Sequence, residues 1–434
     1  MKYYCLGIKG TGMSTLAQIL YDLGNEVCGY DDVKDYKFTQ KGLDTRGIEV
    51  FCDNQHPLDP EMIVTYSVAL PLDHKELVRC RQNGLTIRKY NEIVGEVTSL
   101  FRTISVSGTH GKTTTSSLIR HILEHTVGTN YFIGAGDGHV DKEHDFFVIE
   151  SDEFNKHFVT YHPSYTVITN IEEEHMECYR DLQDIIDTFG ILAANTKKFI
   201  IACGDNPNVR KVRTDREILY YGFNEDNDIV AQITDMNRRY SVFRVRFADL
   251  DEEFEVPLFG AHMVLNATAA IAMCYKLGIK AEDIREALKD FRNATRRMEE
   301  TELGQGITLI DDYAHHPTEI AATISSVRQK YPDRKVTAIF KPNTYSRTVD
   351  FTEGFIRALG KVDRVYLTEI DSNREKQEDY PGVSSRMITD GIEGSQIVNE
   401  NALDNLVVQP GEVLLVMSCA SVSHLIENIK KKYS

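Results

Sequence analysis

The sequence lacks several features that would settle its class at once. Its eight cysteines never fall in CxxC spacing, which argues against a zinc centre or a disulfide framework; reduced, mostly buried thiols are expected. Long apolar runs are missing too. Stretches such as Val413 to Met417 are far shorter than the roughly 20 residues a membrane helix needs, so no membrane insertion is expected. The amino terminus, MKYYCLGIKGTG, has no apolar core followed by a small-residue cleavage site, and no signal peptide is read there. Positive charge is in deficit. A formal net charge of −17 speaks against nucleic acid or an anionic membrane as partner, while leaving room for a local basic pocket. No internal repeat or low-complexity tract occurs. These absences point to the cytoplasm.

What is present is an ordinary globular composition, 41% hydrophobic and 26% charged. A length of 434 residues is too much for one core and predicts about three domains. Three segments follow from the alternation of strand and helix signals: 1–97, 98–297 and 298–434. The first opens with a strand, a glycine turn, an amphipathic helix stopped near Gly24, and a second strand. The second opens on the strand FRTISVSG. It later passes through a β-rich stretch with polar and apolar residues alternating, as in YSVFRVRF, and closes with helices from about Ala267 and Ala281. The third alternates strands and helices again, which predicts a mostly parallel sheet.

The motif with the clearest chemistry is GTHGKTTT, comprising Gly108, Thr109, His110, Gly111, Lys112, Thr113, Thr114 and Thr115. A strand, a glycine turn and a helix make a phosphate cradle of backbone N–H groups. Lys112 can bridge phosphate oxygens, and the Thr113 hydroxyl can hold Mg²⁺. The long form GxxxxGK[ST] fails because position 106 is Val, so only the short GxxGKT holds. Glu150 and Glu153 stand at a strand's carboxyl end, where open α/β sheets place ligands. The next strand ends at TNIEEEH, presenting Asn170, Glu174 and His175. From the residues alone, His175 reads as a surface or hydrogen-bonding histidine, since Mg²⁺ prefers oxygen. The run Glu172 to Glu174 reads as a solvated loop.

A second glycine turn, Gly7 to Gly12, has GxxGxG rather than GxGxxG spacing. With Asp31 ending the second strand, it suggests a nucleotide or a sugar-nucleotide diphosphate. In the third segment, DDYAHHPTE and KPNTYSRT end two strands taken to be neighbours. Helix capping accounts credibly for Thr318 and Ser346, and poorly for His315, His316 and Arg347 together.

GTHGKTTT, the acid-rich strand end, TNIEEEH, GAHMVLNATAA, TRRMEE and DDYAHHPTE occur in the order of the Mur ligases, and the chain resembles that family over nearly its whole length. The pairing with KPNTYSRT is most similar to members that add L-alanine to UDP-N-acetylmuramate. The resemblance implies an α/β fold of three domains: a Rossmann-like N-terminal domain, a central P-loop ATPase-type domain with a mixed sheet, and a Rossmann-like C-terminal domain. It implies MgATP as cofactor, an acyl phosphate on the lactyl carboxylate, and attack by the amine of L-alanine. Lys112, His175, Arg297, His316 and Arg347 would be the catalytic positions. Thr113 and Glu150 would hold one Mg²⁺, and His175 a second. The loop from Gly108 to Thr114, with Asn170, His262, Asn266 and Asp312, would hold ATP. Gly10, Thr11, Gly12, Met13, Asp31, Ser67, Glu153, His315 and Tyr345 would face the other substrates. The chain departs from the family pattern at Met263, at Lys341 and Asn343, at Glu174, and in the ending MSCASV. Competing readings are a recycling ligase that adds a whole peptide and a nucleotide-binding relative without turnover. A dehydrogenase would rest on the first glycine turn and leave Lys112 unexplained.

Overall fold

The first five strands are mostly apolar at the sheet's centre, as in KYYCL and MIVTY, and polar at one edge, as in TIRK. They are β1 (Lys2–Leu6), β2 (Glu26–Tyr30), β3 (Glu49–Phe51), β4 (Met62–Tyr66) and β5 (Thr86–Lys89). In this computed structural model, which describes every residue except 135, 373 and 374, they form a sheet in the order β3-β2-β1-β4-β5. Every pairing in it is parallel. The helices are α1 (Thr11–Asp22), α2 (Gln40–Thr45), α3 (Lys75–Gln82) and α4 (Tyr90–Leu100). The α1 helix buries Met13, Leu16, Ala17, Ile19 and Leu20. Each large aliphatic group among them contributes about 2 kcal/mol through area removed from water. The helix stops where Gly24 takes φ +86°, as its glycine predicts.

The second sheet has ten strands: β6 (Arg102–Ser107), β7 (Asn130–Ile133), β8 (Asp137–His139), β9 (Phe146–Glu150), β10 (Tyr165–Ile168), β11 (Phe199–Cys203), β12 (Glu217–Gly222), β13 (Ile229–Met236), β14 (Ser241–Phe247) and β15 (Leu250–Val256). Their order is β15-β14-β13-β12-β11-β10-β6-β9-β7-β8. The β6 strand lies parallel between β9 and β10, while β8 runs antiparallel to β7, so the sheet is mixed. Its helices are α5 (Lys112–Glu124), α6 (Leu182–Asn195), α7 (Ala261–Lys276) and α8 (Ala281–Lys289). The α7 helix begins six residues before the start read near Ala267. The spacing reading passes over α6, although Ile185, Ile186, Phe189, Leu192 and Ala193 form its buried stripe and the Asp181 side chain accepts from the Asp184 amide at 2.9 Å as its cap.

The third sheet comprises β16 (Glu299–Glu302), β17 (Thr308–Asp312), β18 (Val336–Phe340), β19 (Arg364–Leu367), β20 (Gln396–Ile397) and β21 (Val413–Met417). Its order is β16-β17-β21-β18-β19-β20, with β16 an antiparallel edge. This corrects one expectation: the strands ending in DDYAHHPTE and KPNT are not neighbours, because β21 pairs with both. The helices here are α9 (Pro317–Lys330), α10 (Tyr345–Asp350), α11 (Thr352–Leu359), α12 (Arg386–Thr389) and α13 (Ser423–Tyr433).

The backbone divides into two units. One comprises Met1–Gln232, Phe243–Val256 and Leu265–Phe291; the other comprises Ile233–Val242, Pro257–Val264 and Arg292–Ser434. Within the first unit, the β7–β8 loop is tied to the amino-terminal helices. Gln18 Nε2 donates to the Gly136 carbonyl at 2.8 Å, and Arg46 Nη2 donates to the Gly138 carbonyl at 3.0 Å. Arg46 also pairs with both carboxylate oxygens of Asp22.

Candidate active site

Parallel sheets bind ligands beyond the carboxyl ends of their strands, where the strand order reverses. In the first sheet that point lies between β1 and β4. Gly7 follows β1 with φ +75°, and a Cβ there would stand 3.0 Å from the Cβ of Ser67, which follows β4. The Gly10 to Met13 turn opens α1 at this edge. Asp31 is beside it, but its carboxylate is occupied by the chain itself: Oδ2 accepts from the Lys9 amide at 2.9 Å and Oδ1 from the Val33 amide at 3.0 Å. It shapes the turn that the sequence reading expected it to use for a ligand.

In the second sheet the reversal falls at β6, and the phosphate loop, the Glu150 strand end and TNIEEEH all meet there. Gly108 has φ +138° and Gly111 φ +82°. A Cβ on Gly108 would lie 2.0 Å from Thr169 Oγ1, and one on Gly111 would lie 2.7 Å from Asn266 Oδ1. Asn170 clamps the loop, its Oδ1 accepting from the His110 amide at 2.8 Å and its Nδ2 donating to the His110 carbonyl at 2.9 Å. Thr109 Oγ1 accepts from the Glu172 amide at 2.9 Å. His110 Nε2 lies 3.4 Å from Glu172 Oε2, so the acidic run is partly engaged.

Lys112 begins α5, and its ammonium has three acceptors: the Gly108 carbonyl at 2.7 Å, the Thr109 carbonyl at 3.3 Å and Glu153 Oε2 at 2.7 Å. Burial works against its charge, but Glu153, Asp152 and Glu150 outweigh that and raise its pKa. Burial raises Glu153 although Lys112 pulls it down. Glu153 Oε1 is buried with no hydrogen-bond partner among the described residues. Thr113 Oγ1 donates to Glu150 Oε1 at 2.9 Å, and the Gly134 amide donates to Glu150 Oε2 at 3.0 Å.

Two oxygen-rich positions suited to a divalent cation result. One is the Thr113–Glu150 pair, whose all-oxygen donors match Mg²⁺. The other is formed by Asp152, Glu153 and His175, each offering a ligand atom within 4.8 Å of the others. The unpartnered Glu153 oxygen fits a cation there. Burial would raise Asp152, but Lys112, the Phe154 amide, His175 and His157 together outweigh it and hold the carboxyl below its ordinary value. His175 is held at φ +57°, against the Phe154 ring at 5.0 Å. Burial lowers its pKa, yet Glu177, Glu153, Glu174 and Asp152 raise it overall.

Sequence reasoning missed Asp152, masked by its acidic neighbours, and two rings beside it. A Cβ on Gly12 would stand 2.8 Å from the Tyr90 hydroxyl, and Tyr90 packs 5.8 Å from His157. His157 is buried, its Nε2 has no partner among the described residues, and burial lowers its pKa. The residues leading to it, Asn155 and Lys156, have φ of 51° and 56°. The left-handed conformation costs roughly 1–2 kcal/mol at Lys156, while Asn155 tolerates it more readily. Nothing in the residue types announces that geometry.

The second unit holds the remaining expected positions. Asp312 is buried, and its oxygens accept from the Met298 and Ala314 amides, each at 2.9 Å, and from Thr323 Oγ1 at 3.0 Å. Like Asp31, it ties the turn after its strand to a distant segment, here to Met298 and to α9. His316 caps α9, its Nδ1 accepting from the Thr318 amide at 3.4 Å, so the capping account applies to this histidine as well. His315 Nδ1 lies 3.1 Å from Glu319 Oε2. Arg297 lies over the Tyr313 ring at 5.1 Å. Tyr345 stacks on Tyr380 at 5.7 Å, and Glu375 accepts from the Tyr345 amide at 2.6 Å. Arg347 Nη1 reaches Asn343 Oδ1 at 3.4 Å. Lys341 is buried between Asp371 at 2.8 Å and Glu400 at 3.0 Å.

Burial lowers the His262 pKa to about 4, with Glu319 opposing and Arg297 reinforcing the shift. The folded ring therefore stays neutral over a pH range in which an unfolded histidine, with a pKa of about 6.5, takes a proton. The unfolded chain binds the extra proton, so stability falls as pH drops from about 6.5 towards 4, on the order of 1 kcal/mol per pH unit. Urea unfolding of the wild type at stepped pH is expected to show this slope, and His262→Gln is expected to flatten it. An identical slope in both proteins would show that the ring protonates freely in the folded state.

The sites can be set beside known proteins. The description Mur ligase family, catalytic domain, matches residues 2–102. The Mur ligase middle domain matches 106–274, and the Mur ligase, glutamate ligase domain, matches 296–419. The UDP-N-acetylmuramate–L-alanine ligase of Lactiplantibacillus plantarum is 40% identical over 423 residues, 97% of this chain and 96% of that protein. The crystal structure of the UDP-N-acetylmuramate–alanine ligase of Thermotoga maritima superposes with a TM-score of 0.81 at 24% identity, covering 100% of this chain and 99% of that one. A murein peptide ligase from Psychrobacter arcticus gives 0.70 at 21% identity, covering 99% and 98%. With three successive domain matches around a shared phosphate loop and a full-length relative at this identity, the chain belongs to the Mur ligase family.

Proposed function

We propose that the chain is an ATP-dependent ligase that joins L-alanine to the lactyl carboxylate of UDP-N-acetylmuramate, releasing ADP and phosphate. The observation that carries this is the 40% identity, across 97% of the chain, to a relative named for that reaction. The site supports it. A carboxylate is a poor electrophile, and taking the γ-phosphoryl group gives it a good leaving group. The amine of alanine then forms the amide bond as phosphate departs. Lys112, already charged and fixed beside the loop carbonyls, exchanges those acceptors for phosphate oxygens when the nucleotide binds. The loop amides and the start of α5 orient the same oxygens. Thr113 and Glu150 would hold one Mg²⁺, and Asp152, Glu153 and His175 a second. Bound Mg²⁺ neutralises charge on the phosphates. Ser67 and the Gly10 to Met13 turn face the uridine diphosphate in this reading.

Three domains, 1–97, 98–297 and 298–434, are proposed for the sugar nucleotide, ATP and the amino acid. A cytoplasmic location belongs to the same proposal. No helix among the described residues is long and apolar enough to cross a membrane.

The test follows phosphate release from MgATP and UDP-N-acetylmuramate with single amino acids or a tripeptide. Release with L-alanine is expected. Failure to release phosphate with any of the acceptors would overturn the proposal, and release with the tripeptide alone would replace alanine by a peptide.

A further inference from the structure

We propose that His157 is a substrate-binding residue whose Nε2 meets an oxygen of the muramyl sugar or its lactyl group, between the Gly12 turn and Lys112. The inference rests on the ligase reading above and adds a contact to it.

Three independent observations converge on this ring. The first is chemical. His157 is 9% exposed, and its Nε2 is buried without a hydrogen-bond partner among the described residues. A histidine kept only to fill space would leave that nitrogen unsatisfied, where Phe or Leu would fill the space without the penalty.

The second is conformational. Asn155 and Lys156 both sit in the left-handed region, and the structure pins each from outside. Lys156 Nζ pairs with Asp184 Oδ1 at 2.8 Å, and Asn155 Oδ1 accepts from Cys178 Sγ at 3.1 Å. On the far side, Phe158 is fully buried against Phe189, with ring centres 5.1 Å apart. A relaxed turn could lead into Phe158 without strain. The observed one presents His157 towards Tyr90, and persistent strain of this kind collects at ligand clamps.

The third is positional. Tyr90 touches the Gly12 turn and packs on His157; His157 packs edge-on to Phe154 at 6.4 Å; Phe154 packs on His175. These rings run from the turn expected to hold the diphosphate to the acidic cluster beside Lys112. Asp152 is the charged neighbour of both Tyr90 and His157. A sugar nucleotide that binds at one end and reacts at the other must pass this row. An imidazole there offers one donor and one acceptor, which suits a hydroxyl or carboxylate oxygen.

The experiment compares wild type, His157→Ala and His157→Gln, with KM measured separately for UDP-N-acetylmuramate, ATP and L-alanine. Binding of UDP-N-acetylmuramate alone is measured by calorimetry. His157→Ala is expected to raise KM and Kd for the sugar nucleotide about tenfold or more, with the other two KM values unchanged. His157→Gln, which retains a donor and an acceptor, should recover most of the affinity. Unchanged sugar-nucleotide KM and Kd in the alanine variant would overturn the inference. So would an equal rise in all three KM values, which marks a structural role. Failure of the wild type to release phosphate or bind the sugar nucleotide would instead overturn the ligase reading, and this inference with it.

Discussion

Replacing Lys112 with alanine is expected to lower phosphate release by about 10³-fold or more, the scale seen when a charged stabiliser of a transferring phosphoryl group is removed. The variant should also lose stability, and the structure says how. Glu153 would be left buried without its cation, and breaking a buried pair from one side costs about 3–5 kcal/mol. Part of that is relieved because Glu153 can take a proton, burial having already raised its pKa. A raised folded pKa means that the folded state keeps a proton the unfolded chain has released. Stability of the variant should therefore decline as pH rises from about 4.3. The double variant Lys112→Ala with Glu153→Gln separates the two effects. Melting should recover and lose its pH slope, while phosphate release stays low. Recovery of turnover in the double variant would remove Lys112 from the chemistry.

Gly108→Ala is expected to be nearly as damaging without touching a charge. The residue sits at φ +138°, which L-residues rarely adopt, and the new Cβ would lie 2.0 Å from Thr169 Oγ1. That hydroxyl cannot turn aside freely, because it donates to the His110 carbonyl at 2.6 Å. Strain and overlap together should cost about 3 kcal/mol or more. The loop amides would leave their places, and ATP affinity should fall by about 100-fold. Urea unfolding and calorimetry of ATP binding read the two losses. Adding Thr169→Ala should restore part of the stability, since the closest overlap is removed while the Asn170 backbone at 3.0 Å and the strain remain. Wild-type ATP affinity in Gly108→Ala would show that the loop has a second working geometry.

The phosphate loop was legible because its chemistry is contiguous: the strand, the glycines, Lys112 and Thr113 are neighbours in the chain. Glu150 and Glu153 were placed near it by a rule of sheets, which the parallel pairing of β6 with β9 and β10 obeys, whereas His175 reached the site only through the family resemblance. Asp31 and Asp312 show where that rule stops. Both stand at strand ends as a ligand-binding acid would, yet their oxygens also brace the chain, accepting from the following turn and from distant amides, Lys9 for Asp31 and Met298 for Asp312, a role that residue type alone does not show. Spatial strand order was likewise hidden, since a parallel crossover lets β21 enter between β17 and β18 from a distance in sequence. Short polar edges such as EETE in β16 carry no apolar alternation to detect. His157 was invisible because its placement depends on two backbone torsions rather than on a motif.

The tie between Gln18, Arg46 and the β7–β8 loop has an evolutionary corollary. The loop contributes backbone carbonyls to it, at Gly136 and Gly138, and the helices contribute side chains. Any residue supplies a carbonyl, but a Cβ on Gly136, at φ +80°, would lie 2.7 Å from Thr39 Cγ2, and one on Gly138 would lie 2.6 Å from Thr15 Cγ2, so both positions require glycine. Only Gln18 and Arg46 carry the donor groups. Substitutions should therefore be few on both sides of this contact, with the two glycines held by the lack of space and Gln18 and Arg46 changing rarely or together.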